Sequence, residues 1–246
     1  MSDTDAPIRI EVWRGSVVES EHLVDAVFAD ASGSIVRRWG DAGRGVIPRS
    51  AIKAVQALPL ITTGAAAAFD VSDDELALAC SSHSGEPGHI DAVESWLDRV
   101  GAGPGQLECG PDRPIDDDAA AALIRAGVDR APVHNCCSGK HSGFITTAQH
   151  LGEQVAGYLA PTSAVQSRVQ DAIKTMTDID LSGQEPGIDG CGIPVYEFPL
   201  TSLAMAMARL VDRTSLDASL SEAAAQTAAA LPTRCLLYTS PSPRDS

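Results

Sequence analysis

The sequence predicts an α+β fold, and three observations carry that prediction. Strand-like runs fill the first forty residues, helical periodicity dominates the middle, and turns rich in Gly and Pro punctuate the rest. The elements follow in order. Residues 8–13 and 22–29 carry β-branched and apolar side chains and read as strands, with a charged turn at residues 14–22. A third strand over residues 34–39 follows a hairpin turn at Gly33. After the loop 40–45 a helix begins at Ser50, where Ile52, Val55 and Leu58 recur at the spacing of a buried face, and Pro59 ends or kinks it. Ser72 and Glu75 form a capping-box signature ahead of residues 76–80, and the segment 81–89 is too polar to continue that helix. Residues 90–100 and 116–126 read as helices joined by the Gly/Pro-rich linker 101–114. A second polar loop, 134–143, precedes a helix at 144–150, and Thr162 or Ser163 caps a helix at 164–176. A third Gly-rich turn, 187–194, leads to a short strand at 195–198 and then to helices at 203–211 and 220–231.

An antiparallel sheet begun by these strands needs at least one more strand. Residues 235–246 differ sharply in composition from the alanine-rich helix before them and resemble a translated adaptor or vector read. The expected organisation is therefore a single, incomplete domain over residues 1–234 and a non-native-looking tail over 235–246, with C-terminal strands missing.

Composition narrows the function classes. The 246 residues are 44% hydrophobic, enough for a sizeable core. The 33 acidic and 18 basic residues give a net charge of −15, which argues against nucleic acid or an anionic membrane surface as partner. Six irregularly spaced cysteines point to reduced thiols rather than a disulfide scaffold. The acidic N-terminus, Met1 to Asp5, lacks the features of a secretion signal, and no apolar run is long enough to span a bilayer. A soluble cytoplasmic protein is expected.

Ser50 and Lys53 carry the first chemical signal. On a helix they share a face with a rise of about 4.5 Å, so the hydroxyl can reach the amine as nucleophile and base. Three polar loops, around Ser82-His83, Cys137–Lys140 and Asp189–Cys191, each offer reactive groups on a Gly-containing turn. Taken singly, each is also what an ordinary turn looks like.

Together, Arg14-Gly15, Arg49-Ser50 with Lys53, Ser82-His83-Ser84-Gly85-Glu86, Cys137-Ser138-Gly139-Lys140-His141-Ser142-Gly143 and Asp189-Gly190-Cys191-Gly192 resemble the second bacterial L-asparaginase family, the Rhizobium etli type. The resemblance runs from about residue 8 to residue 231. It implies a fold similar to glutaminases and serine β-lactamases, and hydrolysis of the side-chain amide of L-asparagine. It makes Ser50 and Lys53 nucleophile and base, and Ser82 a second catalytic serine. Arg49, Asp189 and His141 become substrate-binding residues, and Cys137, Lys140 and Cys191 the ligands of a zinc ion. Two thiolates and a neutral lysine would leave one tetrahedral position for water or substrate. The family also pairs its second serine with a lysine further along, and no residue beyond Lys140 sits in a matching motif. A β-lactam hydrolase or glutaminase of the same fold, and an inactive truncated fragment, stand as alternatives. A homodimer is compatible with the sequence.

Overall fold

A computed structural model of the chain describes residues 6–233, so the acidic N-terminus and the tail lie outside the described residues. The N-terminal strands form two antiparallel hairpins. β1 (Ile8–Arg14) pairs with β2 (Val17–Val24), turning at Gly15, whose φ of 63° suits a residue without a side chain. β3 (Ala26–Ala29) pairs with β4 (Ile35–Trp39) around a turn in which the Asp30 carboxylate accepts the backbone N–H groups of Ser32 and Ser34. The charged segment assigned to a turn is thus mostly strand. It belongs to a ribbon exposed along nearly its whole length, and such a ribbon does not require the alternation by which strands are recognised.

The expected sheet resolves, among the described residues, into four separate two-stranded pairs. The other two are short: β5 (Gly45–Val46) pairs with β8 (Phe198–Pro199), and β6 (Gly187–Ile188) with β7 (Pro194–Val195). Strand and helix together make a mixed α+β architecture in which the helices supply most of the core.

Around residue 50 the chain makes a 3₁₀ turn (Arg49–Ile52), then α1 (Lys53–Gln56) and α2 (Leu58–Thr62). Pro59 lies in the first turn of α2, where a missing N–H costs nothing, rather than at a helix end. α3 (Ala65–Ala68) is a single turn. The capping box forms as expected: Ser72 Oγ accepts from Glu75 N–H and Glu75 Oε2 from Ser72 N–H at the head of α4 (Asp73–Cys80). α5 (Pro87–Arg99) and α6 (Asp117–Arg125) follow, and Ser163 caps α8 (Ala164–Thr177) after α7 (Ser138–Leu151). α9 (Leu200–Val211) and α10 (Ala218–Thr233) complete the helices.

The second polar loop is corrected by the structure, because α7 begins six residues earlier than its apolar part suggests. Its Ser and Gly residues are buried, with Ser142 Oγ donating to Ser138 O and Thr147 Oγ1 to Gly143 O. These internal bonds let polar residues lie inside without unpaired groups, and the glycines bring α7 close to α4. A Cβ built on Gly139 would lie 2.8 Å from the Leu78 carbonyl oxygen and from its Cβ. Since a backbone atom cannot step aside, Gly139→Ala should lower stability by about 1–3 kcal/mol through overpacking, less the up to ~1 kcal/mol that alanine's helix propensity returns. The urea midpoint of the variant checks the sign.

Candidate active site

Arg49 precedes Ser50 with φ 47°, a left-handed conformation unfavourable for a residue with a long side chain. The bend sets Ser50 at the surface while Lys53, at the start of α1, is buried. The two side chains do not bond directly. Lys53 Nζ instead donates to Ser82 Oγ at 2.6 Å and to the Ser81 carbonyl at 2.9 Å, and Ser82 Oγ lies 3.1 Å from Ser50 Oγ. Ser82 therefore stands between the two residues that the i, i+3 spacing had joined. The spacing argument assumed an α-helix, whereas the hydroxyl sits on a 3₁₀ turn and the amine on the helix after it.

Among the described residues the lysine bonded to Ser82 is Lys53. Lys174, the one lysine beyond Lys140, pairs with Asp180 at 3.5 Å and takes no part in this group. Two backbone amides at the start of the turn are also committed, Ala51 N–H to Pro48 O and Lys53 N–H to Ser50 O.

Asp189 is held from two sides. Its Oδ1 accepts Arg49 Nε at 3.1 Å and Gly190 N–H at 2.8 Å, while its own N–H donates to Ile193 O. The Arg49 side chain is 69% exposed and that of Asp189 only 8%, so the pair presents its cation outward at the rim.

Cys137, Lys140 and Cys191 meet in the interior. Lys140 Nζ donates to Cys191 Sγ at 3.1 Å, and the Cys137 thiol shares hydrogen bonds with Cys136 and Cys191. Those bonds, with Lys140 and Lys53 nearby, hold Cys137 far below the usual thiol range. The same bonds, seen from their donors, together with burial raise Cys136 and Cys191. Two thiols and an amine converging in a buried place make a donor set that suits zinc. The set relies on the lysine, since no group of three His, Cys, Asp or Glu residues placed to hold a metal occurs among the described residues. Cys80 and Cys109 stand apart from this chemistry: burial pushes both thiols up to about 12.

His141 is wholly buried. Tyr158 Oη accepts Glu108 N–H at 2.9 Å and shares a hydrogen bond with His141 Nδ1 at 2.7 Å. Burial holds this imidazole well below its ordinary pKa. The ring also packs against those of Phe144 and Tyr158.

His83 and Ser138 lie within the quoted segments without a role of their own, and Asn135 and Tyr158 carry no signal in the sequence. Asn135 bridges two segments, its amide donating to Cys109 O while its Oδ1 accepts Cys137 N–H. No periodicity or motif marks such a contact.

The family model described as L-asparaginase II matches residues 10–236. No curated protein matches the chain.

Proposed function

The chain belongs to the L-asparaginase II family, and from that premise we propose that it hydrolyses the side-chain amide of L-asparagine to L-aspartate and ammonia through Ser50, Ser82 and Lys53. The observation that carries this reading is the unbroken line from Ser50 Oγ through Ser82 Oγ to Lys53 Nζ. With Lys53 as the neutral amine and the Ser82 hydroxyl turned so that it donates to Nζ, the Ser50 proton passes along this line to Ser82 as the Ser82 proton passes to the amine. The Ser50 oxygen then adds to the amide carbon. On collapse of the tetrahedral intermediate the C–N bond breaks, and the nitrogen takes back a proton along the same line and leaves as ammonia. Water cleaves the resulting ester and restores the Ser50 hydroxyl.

Arg49 and Asp189 hold the substrate's α-carboxylate and α-ammonium by charge. Because Asp189 is little exposed and bonded to Arg49, Asp189→Asn disturbs both contacts. Losing one charge-assisted hydrogen bond, ~1.5–3 kcal/mol, corresponds to a fall of about 10–100-fold in kcat/KM for asparagine. Initial rates of ammonia release across a range of substrate concentrations read that change.

Cys137, Cys191 and Lys140 would hold a zinc ion, which when bound would supply Lewis-acid polarisation. The glutaminase and β-lactamase type of fold is the parent architecture we favour, on the same five sequence segments.

Purified protein incubated with L-asparagine should release ammonia and aspartate in equal amounts. Release no faster than that of the Ser50→Ala variant refutes the proposal. Metal analysis of the same preparation tests the zinc reading separately, with one equivalent per chain expected.

A further inference from the structure

His83 follows Ser82 directly in the chain, is 1% exposed, and takes no part in the proton path. Its contacts all run away from the serine. His83 N–H donates to Cys136 O at 3.1 Å, and its Nε2 lies 2.8 Å from Ser138 Oγ. Gly85 N–H donates to Nδ1 at 3.1 Å, so in the neutral ring Nδ1 is the acceptor and Nε2 carries the hydrogen that Ser138 receives. The ring also stacks on His89 in α5, with centroids 5.3 Å apart. A side chain chosen only to fill the core would not need two directed hydrogen bonds, one of them reaching across 55 residues of sequence.

We infer that His83 is a positioning residue that fastens the Ser82 loop to the start of α7, so that the hydroxyl facing Lys53 and the segment carrying Cys137 and Lys140 keep one fixed relative position. The inference rests on the reading of Ser82 as part of an amidase site. Its physical content is the bond from His83 Nε2 to Ser138 Oγ, with the backbone bond to Cys136 beside it. If these loosen, Ser82 Oγ drifts from the narrow range in which it meets both Ser50 and Lys53. A misplacement on the order of 1 Å is worth about 100-fold in rate. The Ser82 loop and α7 are far apart in the chain; α4, which ends at Cys80, packs on α7 where Gly139 meets Leu78, and the His83 bonds carry that contact on to the loop itself.

The variants are His83→Leu, His83→Gln, Ser138→Ala and the double variant His83→Leu/Ser138→Ala. His83→Leu and Ser138→Ala should each lower kcat at least about tenfold, with KM changing less than about threefold. His83→Gln places an amide donor where Nε2 was and should recover most of the lost rate. In the double variant the fall should not exceed that of the worse single, because both changes remove the same bond. The second readout needs no catalysis. Amide hydrogen exchange in substrate-free protein should speed up at least about tenfold in segments 81–85 and 134–141 of Ser138→Ala, and stay unchanged in the β1–β2 hairpin. Should His83→Leu fail to fold, Ser138→Ala, a small change at a buried site, still gives both readouts.

Unchanged exchange in both segments overturns the inference. So does a lower melting temperature with kcat intact where the variants are folded, or additive losses in the double variant. If the parent protein releases no ammonia at all, the amidase reading fails, and the exchange result by itself decides whether His83 ties the two segments together.

Discussion

Ser50→Ala is expected to abolish measurable ammonia release from L-asparagine, a fall of about 10⁴-fold or more, because it removes the atom that attacks the amide. Ser82→Ala should cost less, about 10²–10⁴-fold, the range for losing one proton-transfer group, since a water molecule entering the vacated space can still join Ser50 to Lys53. The order of the two losses is the informative result. Ser82 lies directly on the lysine and Ser50 one hydroxyl away, so geometry alone allows either oxygen to be the nucleophile. Ser50 is favoured because it is exposed to arriving substrate on a strained turn, whereas Ser82 is half-buried. If Ser82→Ala proves the more damaging variant, or if the acyl group trapped by rapid quench is found on a peptide containing Ser82, the roles are reversed. Denaturant midpoints within about 1 kcal/mol of the parent are the control that each variant is folded. Both hydroxyls are at or near the surface, and such changes usually shift stability by less than that.

Stability is expected to decline steadily on acidification below about pH 6.5, and the buried imidazoles of His83 and His141, both lowered by burial, contribute to the loss. Burial, with His89 and Lys53 nearby, pushes the His83 pKa down to about 3 from 6.5. The unfolded chain therefore binds a proton at this residue first. The stability contributed by the neutral buried ring is fully present above the unfolded pKa and is lost as pH falls through the window from about 6.5 to about 3. For His83 alone, one proton taken up only by the unfolded chain gives a slope of about 1.4 kcal/mol per pH unit, so its share of the loss from pH 6.5 to pH 4 is on the order of 3 kcal/mol, to which His141 adds. That is a large share of the ~5–15 kcal/mol that typically holds a domain together. Asp178, lowered by its bonds to Arg209, adds to the loss as pH falls through the ordinary carboxylate value of 3.8. Urea midpoints taken each pH unit from 7 to 4 measure the slope. His83→Gln should flatten it by about 1.4 kcal/mol per pH unit, and equal slopes in parent and variant would rule out this source.

Several elements could be read from the sequence because their causes are local. Ser72 and Glu75 bond within one helical turn, and the Ser163 cap does the same. The helices ending at Arg99 and Arg125 carry the periodicity that gave them away. The start of α7 was hidden, because Gly and Ser are judged by what they do in isolation, where they favour turns, while here they are kept helical by close packing on α4. The strand β2 was hidden for the opposite reason, since an exposed ribbon imposes no pattern on its residues.

By itself the sequence determined an α+β chain, its main helices, and the order of the segments that carry reactive groups. Only the tertiary structure decided how those groups meet. It put Ser82 between Ser50 and Lys53 across 32 residues, joined Lys140 to Cys191 across 51, and tied His83 to Ser138 across 55. Propensity and capping act over a few neighbouring residues, whereas a hydrogen bond between distant segments exists only after core packing has fixed their separation to within a fraction of an ångström.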